Sequence, residues 1–317
     1  MQESNKSHMT PRYLGIEIGG TKLQLVIGDG QGTIAERFRF AVEREKGAEA
    51  IRKRIAETVA TVCGSNAMAA IGVGFGGPVN WKTGQICCSH HVKGWSDFPI
   101  GQWLQDMAGV PVAVDNDANV ASLAEASCGA GRGKNPVFYV TLGSGVGGGL
   151  VANGEIYHGA HPGEGEIGHV RLSRSGLIIE SRCSGWAVDA KVRAAIKDHP
   201  QSELALCAAG MTANQAKALV PALAKGDPIA RKILEDTAAD LAFGLSHASH
   251  LFHPEVIVLG GGLSLIGEPL RDAVQTPLRR WIMKAHAPGP EVLLAQLGED
   301  VVPVGALILA GKTARPV

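Results

Sequence analysis

Residues 13–27 read Tyr-Leu-Gly-Ile-Glu-Ile-Gly-Gly-Thr-Lys-Leu-Gln-Leu-Val-Ile. Leu14, Ile16 and Ile18 alternate with Gly15, Glu17 and Gly19. Beyond Gly19-Gly20-Thr21, Leu23, Leu25 and Ile27 alternate with Lys22, Gln24 and Val26. Period two on both sides of a short glycine turn predicts paired β-strands. The Asp29-Gly30 turn adds a third strand over Thr33–Phe40. A turn of this kind offers backbone N–H groups, the Thr21 hydroxyl and the Lys22 ammonium to an anion such as phosphate. It is neither a dinucleotide-binding nor a P-loop fingerprint, because both need a helix after the glycines.

The pattern continues outward. Ile51, Ile55, Val59 and Val62 recur at helical spacing over 47–63, and 69–75 is a buried strand ending in Gly76-Gly77-Pro78. A short strand at 111–114 runs into Asp115-Asn-Asp-Ala-Asn119, followed by a helix to about Ser127. A second unit then opens in the same way. Strands at Val137–Leu142 and Val146–Val151 flank Gly143-Ser-Gly145. Residues 213–252 are predicted mostly helical, with a break at Gly226-Asp227-Pro228. Val256–Leu259 is a buried strand leading into Gly260-Gly-Gly262, and Val304–Lys312 is a terminal helix. The two halves read as weakly related units.

Bulk properties narrow the class. The 317 residues suffice for two domains with real cores. Thirty acidic and thirty basic residues cancel, which gives no reason to expect nucleic acid or a membrane surface as partner. No apolar run is long enough for a membrane span, and residues 1–12 lack the apolar stretch of a signal peptide, so a loose tail and a cytoplasmic setting are expected. The six cysteines form no CxxC pair and read as reduced packing thiols.

Two further stretches carry chemistry. Asp117 stands near a helix N-terminus, where the backbone dipole favours its ionised form, so it suits proton abstraction from a hydroxyl. Asn116 both donates and accepts, and one polar residue of the group caps the helix. In Gly163-Glu-Gly-Glu-Ile-Gly-His169, Glu164, Glu166 and His169 crowd a glycine-rich loop, with Glu180 following. Carboxylates and a neutral imidazole suit a polyhydroxylated ligand.

Together these segments resemble the ROK family (repressor, open reading frame, kinase) of sugar kinases. The resemblance rests on GIEIGGTK, GVGFGGPVN at 72–80, VDNDAN at 114–119, TLGSGVGGGL at 141–150, GEIGH at 165–169 and PEVIVLGGGLS at 254–264. It implies an α/β chain with a two-domain actin-like ATPase (ribonuclease H-like) fold and an interdomain cleft. The expected N-terminal domain is 13–118, with the C-terminal helix of about 303–317 packing back on it, and the expected C-terminal domain is 119–302. It implies ATP- and magnesium-dependent transfer of phosphate to a hexose or amino-hexose hydroxyl, glucokinase-like, at the 6-hydroxyl. By position, Asp117 is the expected general base, and Asn116, Glu166, His169 and Glu180 are the sugar ligands, with Gly77 in the loop lining that site. Gly19, Gly20, Thr21, Lys22, Gly143, Ser144 and Gly145 are the expected phosphate contacts. Gly261 and Gly262 lie near adenosine, and Glu17 is the magnesium carboxylate. A homodimer is the family expectation.

Three departures stand out. Glu17 replaces the family's usual aspartate, one methylene longer. Ser144 replaces the commoner threonine. Val170–Ile179 contains no cysteine where many members carry a zinc-binding segment, so no zinc site is expected. Cys183 reads as packing and Glu164 as a bystander. A DNA-binding regulator, which the family also contains, is disfavoured because about a dozen residues precede the first strand. The alternative kept open is a catalytically weak sugar-sensing protein.

Overall fold

The computed structural model describes residues 11–65, 67–89, 92–160, 163 and 165–314. Residues 1–10 of the expected tail, Glu164 and residues 315–317 lie outside the described residues. The tail ends before Arg12, which opens the first strand beside Met68. The chain forms two compact units. One comprises 1–124, 159–163 and 299–317, and the other 125–158 and 164–298.

In the first unit, β1 (Arg12–Ile18), β2 (Lys22–Gly28) and β3 (Ile34–Ala41) form the antiparallel meander that the alternation predicts. β4 (Met68–Phe75), the short pair β5 (Val79–Asn80) and β6 (Gln85–Ile86), and β7 (Val112–Asn116) follow. The sheet order is β3-β2-β1-β4-β7, with β4 and β7 parallel to β1. Leu14, Ile16, Ile18, Leu23, Leu25 and Ile27 all point to one face. There they meet Ile51, Ile55, Val59 and Val62 of α1 (Gly47–Ser65). Each such side chain contributes about 1.5–3 kcal/mol on burial. The other face carries Gly15 and Gly72, whose missing side chains admit the C-terminal helix Val301–Thr313 at the distance of Leu307 and the Ala306 carbonyl. The glycines that alternate with leucine and isoleucine are therefore a packing surface. α2 (Ile100–Ala108) and the start of α3 (Asp117–Cys128) complete this unit.

The second unit repeats the plan. β8 (Val137–Leu142), β9 (Val146–Ala152), β10 (Glu155–Ile156), β11 (Val256–Gly260) and β12 (Glu291–Leu294) lie in the order β10-β9-β8-β11-β12. Again three strands are antiparallel and two are parallel to the first. The helices are α4 (Glu180–Cys183), α5 (Gly185–Asp198), α6 (Glu203–Cys207), α7 (Leu219–Ala224), α8 (Pro228–Phe252) and α9 (Glu268–Trp281). The break at Gly226-Asp227-Pro228 becomes the start of α8. Asp227 caps it by accepting from Ile229 and Ala230, with Pro228 in the first turn. Leu241, Leu245 and Ala248 of α8 pack with Ile257, Leu259 and Val274 in the core of this unit. Glu125, fully buried, accepts from the backbone N–H groups of Ala130, Gln296 and Leu297, and so fastens the end of α3 to the segment before residue 299.

Candidate active site

In the first unit, the turn between β1 and β2 is closed by Gly19 N–H donating to the Lys22 carbonyl at 3.0 Å. Glu17 lies beneath it, 6 % exposed, with Oε1 3.2 Å from Lys22 Nζ and Oε2 accepting from Gln24 Nε2 at 2.7 Å. Burial pushes its carboxyl above the usual range, against the pull of Lys22 and Gln24. Arg37 donates to Gln24 Oε1 and pairs with Asp300, so the polar network continues to the start of the C-terminal helix. Arg44, which the motifs do not flag, reaches the turn from β3's far end and donates from Nε to the Gly20 carbonyl at 2.7 Å.

The end of β4 meets the same turn. Gly76 N–H donates to the Ile18 carbonyl at 2.9 Å. A methyl built on Gly76 would lie 3.4 Å from Asp117 Oδ2 and 3.7 Å from Gly19 Cα, so the carboxylate of Asp117 and the glycine turn flank one point. α3 starts here because Asn116 caps it, its Oδ1 accepting from Ala118 and Asn119 N–H at 2.8 and 3.3 Å. Its Nδ2 donates to the Gly77 carbonyl at 3.2 Å. Its acceptor oxygen is thus committed to the helix, and a ligand is left the second amide N–H. Asp117 is half-buried at the first position of α3, where the helix dipole favours its charge. Asp115 Oδ1 accepts from Asn119 Nδ2, which also donates to the Gly163 carbonyl and ties that loop to α3.

In the second unit, Gly143 N–H donates to the Gly145 carbonyl at 3.0 Å, and the Gly143 carbonyl accepts from Gly185 N–H at 2.7 Å. Glu180 comes to this turn directly. Its Oε2 accepts from Val146 N–H at 2.9 Å, and a side chain at Gly145 would stand 2.4 Å from that oxygen. Glycine at 145 is what lets the carboxylate reach the strand. Gly165 and Gly168 lie backbone to backbone against Gly148 and Val146 of β9, with Ile167 buried between. That leaves Glu166 and His169 exposed on one turn, His169 Nε2 3.9 Å from Glu166 Oε2.

The cysteine-free segment 170–179 is a small hairpin. Ile179 N–H donates to the Val170 carbonyl at 3.0 Å and Leu172 N–H to the Leu177 carbonyl at 2.7 Å, around an Arg171–Ile178 bridge. Because Val170 and Ile179 pair at its base, His169 and Glu180 leave it side by side. Cys183 donates to the Thr237 carbonyl in the core, and burial pushes its thiol up to about 12. Among the described residues no cluster of three or more His, Cys, Asp or Glu side chains is arranged to hold a metal ion.

A cavity of about 470 Å³ opens beside Gly143 and Ser144. Gly262, Leu263, Trp186 and Asn214 line it. Asp189, buried, holds its floor by accepting from Ala216 N–H at 2.6 Å. Gly143, Ser144 and Gly262 were legible in the glycine loops. Trp186 and Asn214 were not, although a tryptophan directly after Ser184-Gly185, in a chain with 5 % aromatic residues, is the local signal. No helix among the described residues is long and apolar enough to cross a membrane.

Comparison with known proteins agrees with these features. The ROK family model matches residues 13–313. The chain is 31% identical over 307 residues to a glucokinase of Halalkalibacterium halodurans, covering 92% of this chain and 93% of that one. It is 30% identical to a glucokinase of Streptomyces coelicolor, covering 94% and 96%. Among solved structures, the ROK family glucokinase from Streptomyces griseus in complex with glucose and AMPPNP superposes with a TM-score of 0.81 at 30% identity, over 95% of this chain and 99% of that one. The ROK hexokinase from Thermus thermophilus gives 0.75 at 28%, over 94% and 97%. The fold is thus that of the actin-like ATPases, and the chain belongs to the ROK family.

Proposed function

We propose that this sugar kinase transfers the γ-phosphoryl group of ATP to a hexose or amino-hexose hydroxyl, the 6-hydroxyl of glucose being the first candidate. The observation that carries this reading is that the Asp117 carboxylate and Gly19, the first residue of the Gly19–Lys22 turn, both come within 4 Å of one point, the Cβ position of Gly76. Asp117 takes the proton of the attacking hydroxyl as its oxygen bonds to phosphorus and the bond to the ADP oxygen breaks. Lys22, held by Glu17, and the N–H groups of the turn stabilise charge on the transferred group. Asn116 and the Gly77 loop steady the sugar through the amide N–H that capping leaves over.

In the second unit, Glu166, His169 and Glu180 take sugar hydroxyls. The Gly143–Gly145 turn takes phosphate, and the cavity beside it takes the adenosine, with Gly262 at its edge and Gly261 directly before it. Magnesium needs only one or two carboxylates when phosphates supply its other oxygens. Glu17 fits that donor set through the ion's waters, because both its oxygens are already engaged by Lys22 and Gln24. When bound, the ion neutralises phosphate charge.

ADP release measured across glucose, N-acetylated amino sugars, fructose, mannose and allose tests the reading. Turnover on at least one of them is expected. Tight sugar binding with no ADP release on any would replace the kinase by a sugar-sensing protein.

A further inference from the structure

The hairpin 170–179 and α4 lie along one face of α8. Cys183 donates to the Thr237 carbonyl, Arg182 Nε pairs with Asp240 at 2.7 Å, and Ile179 sits on Gly244. Positions 237, 240 and 244 are spaced by three and four, so they share a helix face. The last of these contacts has no slack. Ile179 is fully buried, and a Cβ at residue 244 would stand 2.1 Å from its Cδ1 and 2.6 Å from its Cγ1. Glycine in a helix interior is unfavourable relative to alanine, so this position carries a cost that only close packing offsets. The residue after Ile179 is Glu180, whose carboxylate is seated on Val146 N–H. The residue before Val170, which pairs with Ile179, is His169.

We propose that Gly244 is a positioning residue for the sugar site. It acts as a socket for Ile179 that fixes the base of the hairpin, and through it the placement of Glu180 and His169. This rests on the sugar-kinase reading. The apolar socket holds the hairpin where Val170–Ile179 offers no cysteine for a metal.

The test uses the full-length wild type, Gly244→Ala, Ile179→Ala and the double variant Gly244→Ala/Ile179→Ala. The measurements are KM for the best hexose of the panel, KM for ATP, the melting temperature and exchange of the Val146 amide by NMR. Gly244→Ala is expected to raise the sugar KM about tenfold while the ATP KM stays within about twofold. Its melting temperature should fall, because the methyl overlaps a fully buried side chain, and protection of the Val146 amide should drop. Removing both Cγ1 and Cδ1 through Ile179→Ala in the same chain should bring the sugar KM of Gly244→Ala back to within about threefold of wild type, a coupling that independent sites do not show. Ile179→Ala opens the socket from the other side, so it should also raise the sugar KM and expose the Val146 amide. It decides the matter if the alanine at 244 prevents folding. Unchanged sugar KM and Val146 exchange in these variants overturn the proposal. So does a joint shift of both KM values, or a double variant no better than Gly244→Ala. A wild type inactive on every hexose instead overturns the kinase reading, and Val146 exchange still decides whether the socket seats Glu180.

Discussion

Gly76→Ala places one methyl beside both the Asp117 carboxylate and the Gly19–Lys22 turn, the proposed base and phosphate contact. The built carbon lies 3.4 Å from Asp117 Oδ2, 3.4 Å from the Ile18 carbonyl and 3.7 Å from Gly19 Cα, all ordinary van der Waals contacts. Gly76 is not among the glycines with positive φ, so alanine meets no backbone strain. Folding should be unharmed, and the loss of unfolded-state freedom should stabilise the chain by about 0.4–1 kcal/mol. Chemistry should suffer. A sugar hydroxyl must come to within roughly 2.6–3.2 Å of the Asp117 carboxylate, and the methyl occupies one of its approaches. Misplacing a reacting group by about 1 Å costs on the order of 100-fold, which is about 2.7 kcal/mol of barrier. A coupled ADP-release assay with saturating hexose, run beside a thermal melt, reads both effects. A variant that melts no lower than wild type and turns over about 100-fold more slowly fits the reasoning. Full turnover with the methyl in place would refute it, because the space beside Gly76 would then lie off the reaction path.

Burial raises the Glu17 carboxyl above the unfolded value of 4.5. The stability linked to its neutral form is therefore complete below 4.5 and lost as pH rises through the folded value. Glu17→Gln should melt higher than wild type at pH 7, and the gap should close as pH falls toward 4.5. Calorimetry across that range checks it, and a gap that widens on acidification contradicts it. Trp186→Ala should raise the ATP KM about tenfold, as loss of a stacking surface worth roughly 1–3 kcal/mol implies, with the sugar KM and stability nearly unchanged. Equilibrium binding of AMPPNP reads the same loss without turnover. Asp227→Ala removes the acceptor of three backbone N–H groups, from Leu204, Ile229 and Ala230. It should cost roughly 2–3 kcal/mol in urea unfolding while leaving both KM values alone.

Much of this was written in local pattern. The alternation of Leu14, Ile16 and Ile18 with glycines gave the meander, and the doubled glycine turns at 19–20 and 143–145 gave the repeated plan. A two-residue period is set by the chain itself, so it survives without knowledge of partners. The dense polar run at 115–119 marked α3's start, but not which residue caps it. Asn116 takes that task because its side chain reaches the second and third N–H groups of the helix, which leaves Asp117 facing Gly76.

What stayed hidden depends on distant residues. Trp186, Asn214 and Leu263 line one cavity only after separate segments fold together. Gly244 reads as a weak point in a helix until Ile179, far earlier in the chain, is seen to fill it. α9 was masked by Pro277 in its interior, and β12 is a four-residue strand at the edge of its sheet.

The central claim is that Asp117 removes the proton from the attacking hydroxyl. Asp117→Asn keeps the shape and the position at the head of α3 but removes the basic oxygen. Steady-state turnover of this variant, measured with hexose and ATP beside calorimetric sugar binding, is the most direct test. Sugar affinity should stay within a few-fold of wild type while kcat falls by about 10²–10⁴. Near-normal turnover by a folded, sugar-binding Asp117→Asn chain would contradict it.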